Sequence, residues 1–104
     1  MGYPPAEELL AVLITGEDEE LLETACGYLK GYAERVNRHQ AGIVGPASPF
    51  VGKVNDVYRR VLYFKHARYE VLTDLKDKLE VYIEMNSGFA KLRIQFDFNP
   101  MNIF

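Results

Sequence analysis

The sequence predicts an α+β domain in which two helices lie on one face of a four-stranded sheet, in the order β-α-β-β-α-β. Three observations predict it. The run Leu9 to Thr15 is almost entirely apolar and has the length of a strand buried on both faces. Two later stretches carry apolar residues at helical spacing. The last of the regular segments, residues 91–98, alternates strictly between polar and apolar.

Taken in order, Leu9 to Thr15 is the first strand and Gly16 ends it. The acidic run Glu17-Asp18-Glu19-Glu20 suits the positive end of a helix dipole. Leu21, Leu22, Ala25, Cys26, Leu29, Ala33 and Val36 then share one face, so a helix is expected to about Asn37. Gly27 and Gly31 weaken it by up to about 1 kcal/mol each relative to alanine, unless they admit a close neighbour. Ala41 to Val44 reads as a short strand, Gly45-Pro46-Ala47-Ser48-Pro49 as a loop, and Phe50 to Val54 as a brief extended segment. Asn55-Asp56 is a turn signal.

Tyr58 to Lys65 is rich in aromatic and β-branched residues, which marks a central strand. One of its faces is Tyr58, Arg60, Leu62 and Phe64; the other is Arg59, Val61, Tyr63 and Lys65. Arg60 interrupts the more apolar set, so the sequence does not decide which face is the core. Arg68 to Met85 is the second helix, with Val71, Leu72, Leu75, Leu79, Tyr82 and Ile83 as its stripe. Asn86-Ser87-Gly88 ends it, with Gly88 expected in the left-handed region. In the final strand Leu92, Ile94, Phe96 and Phe98 face one way, and Lys91, Arg93, Gln95 and Asp97 the other. Pro100 stops it. This order is the split βαβ, or ferredoxin-like, arrangement, and residues 1–104 make one domain of that kind. Fold alone assigns no function.

A chain of 104 residues can bury a core without metals or disulfides. The single cysteine excludes an internal disulfide and a cysteine-rich zinc site, and suits a reducing cytoplasm. No apolar run approaches the roughly 20 residues needed to span a bilayer. The opening residues show no signal-peptide pattern; Tyr3-Pro4-Pro5 reads as a stiff extended lead into the first strand.

The net charge is −3, which argues against a broad basic DNA clamp. The charge is unevenly placed. Residues 1–38 hold eight acids against three Lys/Arg, residues 39–68 one against five, and residues 69–104 six against four. An electrostatic footprint therefore belongs to the middle third.

Several chemistries are missing. There is no Gly-x4-Gly-Lys phosphate loop, no Cys-x2-Cys pair and no His-Glu-x2-His. His39 and His66 stand apart, and neither has a carboxylate close in sequence. The first strand–helix loop, Thr15-Gly16-Glu17-Asp18, would repel a phosphate. Tyr58 to Phe64 has aromatics and arginines but lacks the glycine of the RNA-binding Lys/Arg-Gly-Phe/Tyr pattern. Cys26 on an apolar stripe reads as a buried, inert thiol. Tyr63 and Tyr82 read as core or core-edge residues. What remains is a set of cations, Lys53, Arg59, Arg60, Lys65 and Arg68 with His66, joined by Lys91 and Arg93 on another strand. These are either ordinary strand-edge charge or a patch for phosphates or an acidic peptide.

Three segments carry a resemblance. They are Gly2-Tyr3-Pro4-Pro5 leading into Leu9 to Gly16, the stretch Gly45-Pro46-Ala47-Ser48-Pro49 through Lys53 to Tyr58-Arg59, and the ending Arg93-Ile94-Gln95-Phe96-Asp97-Phe98-Asn99-Pro100. In order and spacing the chain resembles the C-terminal domain of primosomal protein N′. The resemblance implies a parent that is a superfamily 2, 3′→5′ replication-restart DNA helicase of the cytoplasm, associated with the nucleoid. It implies that the ATP, magnesium and zinc sites lie upstream, leaving this chain without enzymatic machinery or cofactors of its own. The partners implied are forked and single-stranded DNA, the helicase lobes, and the acidic, Phe-ended tail of single-strand DNA-binding protein; no membrane is implied. Carried onto this sequence, DNA falls to Lys53, Arg59 and Arg60, and the tail peptide to Arg68 with Lys65 in reserve. The alternatives are a stand-alone ligand-binding dimer domain, or a packing element whose polar face, Lys91 to Asp97, docks on a neighbouring lobe.

Overall fold

A computed structural model describes residues 7–48 and 57–99, together with the backbone of 53–54. The chain order is β1 (Glu8–Gly16), α1 (Glu19–Val36), β2 (Gly42–Ala47), β3 (Lys53–Val54), β4 (Val57–His66), α2 (Tyr69–Met85), a 3-10 turn (Ser87–Phe89) and β5 (Arg93–Phe98). The strands lie in the order β2-β4-β1-β5, all neighbours antiparallel, and the two-residue β3 pairs with β4. This is the expected βαββαβ sheet with one small strand added. Of the expected segment Phe50 to Val54, only Lys53 and Val54 lie within the described residues.

The unbroken apolar run of β1 has a simple cause. The strand is central, between β4 and β5, and both its faces are buried. Leu10, Val12 and Ile14 belong to the core beneath the helices. Ala11 and Leu13 point the other way, yet Leu13 is only 5% exposed. β4 settles the face the sequence left open. Leu62 and Phe64 lie in the helix-side core with Leu22, Leu29, Leu72 and Leu79. Each such fully buried side chain contributes roughly 1.5–3 kcal/mol.

Local signals place the helices. The Asp18 carboxylate accepts from the Leu21 N–H at 3.2 Å and caps α1, with Glu19 and Glu20 in the first turn. Asn37 turns the chain into β2: its amide oxygen accepts from the Ala41 N–H at 2.8 Å, and its amide nitrogen donates to the Ala41 carbonyl at 2.9 Å. Side chains added at Gly27 or Gly31 would meet nothing within 4 Å, so no close neighbour accounts for these glycines.

Two expectations need correction. Gly45, Pro46 and Ala47 are not loop: they continue β2, with a register shift between Val44 and Ala47. A proline is tolerated there because β2 is an edge strand and the bulge releases the ladder. Gly45 is required, with φ at +104° and space for a Cβ only 2.6 Å from the Val61 carbonyl oxygen. Gly88 is not left-handed; among the described glycines only Gly45 has positive φ. Instead the Asn86 side chain donates to the Tyr82 carbonyl, and a 3-10 turn buries Phe89. Pro100 lies outside the described residues, as do Tyr3, Pro4 and Pro5.

Candidate functional site

Alternation along β4 sorts the central cations onto opposite sides of the sheet. Arg60 shares the helix side with Leu62 and Phe64, and its side chain is only 13% exposed. Its Nη2 reaches Glu19 at 2.9 Å and its Nε reaches Glu23, both on α1. Burial acts to lower the Arg60 pKa, but the bonds to Glu23 and Glu19 outweigh it and the net shift is upward. The guanidinium is thus a charged clasp between β4 and α1. Arg59 faces the opposite, helix-free side, where Ala11, Leu13 and Val61 are nevertheless buried and Arg59 itself is half-buried. The two adjacent arginines therefore do not form one surface. The Lys53 side chain lies outside what is described.

The register shows what does surround Arg59. Thr15 of β1 is paired with Arg59 on one flank and with Arg93 on the other. The three form one row across the open face, which puts the arginines two strand spacings, or about 10 Å, apart. Lys91 and Arg93 also line a broad hollow with Thr15, Gly16 and Val57, but Glu17 and Asp18 line it too, so its charge is mixed. The next rows are Val61–Leu13–Gln95 and Tyr63–Ala11–Asp97. Lys65 lies on the same face beside Leu9 and Gly42, six residues and so about 20 Å from Arg59. Sequence reasoning noted Arg93 but did not join it to Arg59. The topology alone would have joined them, since both strands flank β1.

Arg68 leaves the same end of β4 as Lys65. It occupies the N-cap position of α2, and its backbone N–H donates to His66 Nδ1 at 2.9 Å. Its Nε meets Glu70 at 3.2 Å in an exposed pair, of a kind that contributes little. Beside it, the Tyr69 ring is 46% exposed and tilts against Phe98 with centroids 4.9 Å apart. A cation next to an exposed tyrosine backed by a half-buried phenylalanine was not foreseen, because Tyr69 and Phe98 come from distant parts of the sequence.

Asn99, at φ +46°, fixes Phe98 in this place. Its side-chain oxygen accepts from the Leu9 N–H at 2.8 Å, and its own N–H donates to the Leu9 carbonyl at 2.7 Å. The end of β5 is thereby tied to the start of β1.

Other chemistry finds little support among the described residues. No group of three His, Cys, Asp or Glu there could hold a metal, so zinc or magnesium has no donor set in them. The α1 N-terminus is already capped by Asp18, with Glu17, Glu19 and Glu20 beside it. Cys26 is fully buried; desolvation first, and Glu23 second, push its pKa up to about 11 despite the opposing pull of Arg60. It is a poor nucleophile. None of the described helices is long and apolar enough to cross a membrane.

A four-stranded antiparallel sheet with both helices on one side and a cation-bearing open side defines a ferredoxin-like α+β domain. Solved structures agree on that fold. The chain is similar to a de novo designed protein, Foldit4, with TM-score 0.67 and 11% identity over 92% of this chain and 99% of that one. It is similar to a dimeric ferredoxin-like protein from an uncultured marine organism, with TM-score 0.58 and 8% identity over 94% and 95%. It also matches part of a putative amidohydrolase/peptidase from Burkholderia cenocepacia, with TM-score 0.56 and 14% identity over 95% of this chain and 28% of that one. At such identities these matches show the fold alone. No curated protein matches the chain. The family model for the primosomal protein N C-terminal domain matches residues 1–101, and the chain belongs to that family. Membership gives it a place in replication restart.

Proposed function

We propose that this chain is the DNA-engaging and partner-docking domain of a 3′→5′ replication-restart helicase of the cytoplasm. Its substrates are forked and single-stranded DNA, bound in concert with helicase lobes elsewhere in the parent. ATP, magnesium and zinc belong to those other parts, and this domain contributes binding and no chemical step.

The observation that carries the reading is the Arg59–Thr15–Arg93 row on the open face. Two arginines whose backbone positions lie about 10 Å apart can contact phosphates of one strand or of two converging arms. Lys91 lines the hollow with Arg93 and adds a charge beside it, and Lys53, whose backbone pairs with Tyr58 next to Arg59, is a further candidate. In this reading Arg60 supports the surface from behind through Glu19 and Glu23.

The second docking role rests on Arg68 with Tyr69 and Phe98. A cation beside the exposed Tyr69 ring and the half-buried Phe98 suits an acidic peptide ending in phenylalanine, such as the tail of single-strand DNA-binding protein. Lys65, at the same end of β4, offers a further charge.

The test is fluorescence anisotropy of labelled forked and single-stranded DNA with the isolated chain at low salt. The reading expects binding to both. No binding at low salt would leave the chain as a peptide-docking or packing element.

A further inference from the structure

The two edges of the sheet are built differently. β2, at one edge, carries Pro46 and a register shift between Val44 and Ala47, and both features hinder further pairing. β5, at the other edge, pairs with β1 in unbroken register from Arg93 to Phe98 and holds no proline, glycine or lysine. No strand among the described residues lies beyond it. Asn99 fixes which backbone groups face out. Its N–H points inward, to the Leu9 carbonyl, so by alternation Arg93, Gln95 and Asp97 also turn their backbone groups toward β1. The N–H and C=O groups of Ile94 and Phe96 therefore point away from the sheet.

The side chains of this strand are complementary to themselves. Arg93, Gln95 and Asp97 are exposed, and neither Arg93 nor Asp97 makes an ion pair among the described residues. Ile94 and Phe96 pack against the helix-side core yet stay half-buried. A second copy, antiparallel about a two-fold axis through Gln95, sets Ile94 opposite Phe96 of the second copy and Arg93 opposite Asp97 of the second copy. The outward groups of Ile94 and Phe96 then form the hydrogen-bonded pairs. Arg93 and Asp97 fall at the non-hydrogen-bonded positions, where Cα atoms are about 4.5 Å apart and side chains meet most closely. An axis at Ile94 or at Phe96 would set Arg93 or Asp97 against Gln95 instead. Above the strand, Lys76 lies 5.5 Å from the Phe96 ring centre and 3.0 Å from Glu80, so that overhanging charge is already paired.

We infer that β5 is a self-pairing edge, through which two copies of this chain join their sheets into one continuous antiparallel sheet. Charge complementarity selects a second copy as the occupant. A strand of unrelated sequence could make the backbone bonds, but it would not match Arg93 and Asp97 at once. A seam this narrow buries less than a standard interface, so the dimer is weak, with a dissociation constant on the order of 0.1–1 mM. Arg93 remains able to meet a phosphate, since a guanidinium has more donors than one carboxylate uses. The inference does not rest on DNA binding, and its test contains no DNA.

The experiment is sedimentation equilibrium of the chain up to about 2 mM, with amide hydrogen exchange read at low and high concentration. The chain should pass from monomer to dimer, and exchange at Ile94 and Phe96 should slow as it does. Asp97→Arg opposes arginine to arginine and should weaken self-association about tenfold. Arg93→Asp opposes two acids and should do the same. Both positions are exposed, so the melting temperatures should hold. A mixture of the two variants restores every opposite-charge pair across the seam and should associate about tenfold more tightly than either variant alone. A monomer at about 2 mM, a dimer whose Ile94 and Phe96 amides exchange as in the monomer, or a mixture that associates no better than its components would overturn the inference.

Discussion

Arg59 and Arg93, far apart in the sequence, stand on one row of the sheet with Thr15 between them. Arg59's chain neighbour, Arg60, is on the other side and clasps α1. Adjacent residues of the same type thus have different work, and substitution should separate them.

Arg60→Ala should cost stability and spare DNA binding. The bonds to Glu19 and Glu23 are charge-assisted, but both carboxylates are about half exposed. After allowance for solvent screening the loss is about 1 kcal/mol. For a domain of this size that lowers the melting temperature by roughly 4–8 °C. Arg59→Ala should show the reverse pattern, with weaker DNA binding. Thermal melts and DNA titrations of both variants check this.

Asn99→Ala should loosen the closure of β5 on β1. It removes the side-chain bond to the Leu9 N–H and puts alanine in the left-handed region. The expected loss is about 1–2 kcal/mol. Asn99→Gly relieves the backbone and loses only the bond, so it should fall between wild type and alanine. Denaturant unfolding measures both, and hydrogen exchange at Leu9 reports the site.

Cys26 should make the fold sensitive to alkali. Its folded pKa, about 11, stands above the ordinary value of 9.0. The unfolded chain therefore releases this proton first as pH rises. The stabilisation is complete below pH 9.0 and is lost between there and about 11. Cys26→Ala should be less stable at neutral pH because of the cavity, yet lose less stability across that window. A thiol reagent should react with the native protein only as it opens.

Arg68→Ala and Tyr69→Ala should each weaken binding of an acidic, Phe-ended peptide severalfold. The same peptide with its terminal phenylalanine replaced should bind poorly to every form. Isothermal titration checks this. Unchanged affinity in both variants would place the peptide elsewhere, with Lys65 the next residue to change.

Much of the fold was legible in the sequence because one-dimensional periods report burial. The alternation of β5 and the stripes of both helices are of this kind, and so is the doubly buried run of β1. The faces of β4 were not legible, because Arg60 breaks the apolar set. Its compensation lies in Glu19 and Glu23, which only the tertiary structure brings near. Gly45 and Pro46 look like loop residues; edge position and a bulge let them stay in β2. The grip of Asn99 on Leu9 spans almost the whole chain and has no local signature. The candidate site was half visible for the same reason: its cations could be counted, but their sorting onto faces depends on register.

The most direct test of the account is a salt series of forked-DNA binding by the wild type, Arg59→Ala/Arg93→Ala and Arg60→Ala. The wild type should lose affinity steeply as salt rises. The double variant should bind more weakly, with a log–log slope shallower by roughly 1.4–1.8, the equivalent of two lost phosphate contacts. Arg60→Ala should follow the wild type. If the double variant keeps the wild-type affinity and slope, the open face is not the DNA surface and the central claim fails.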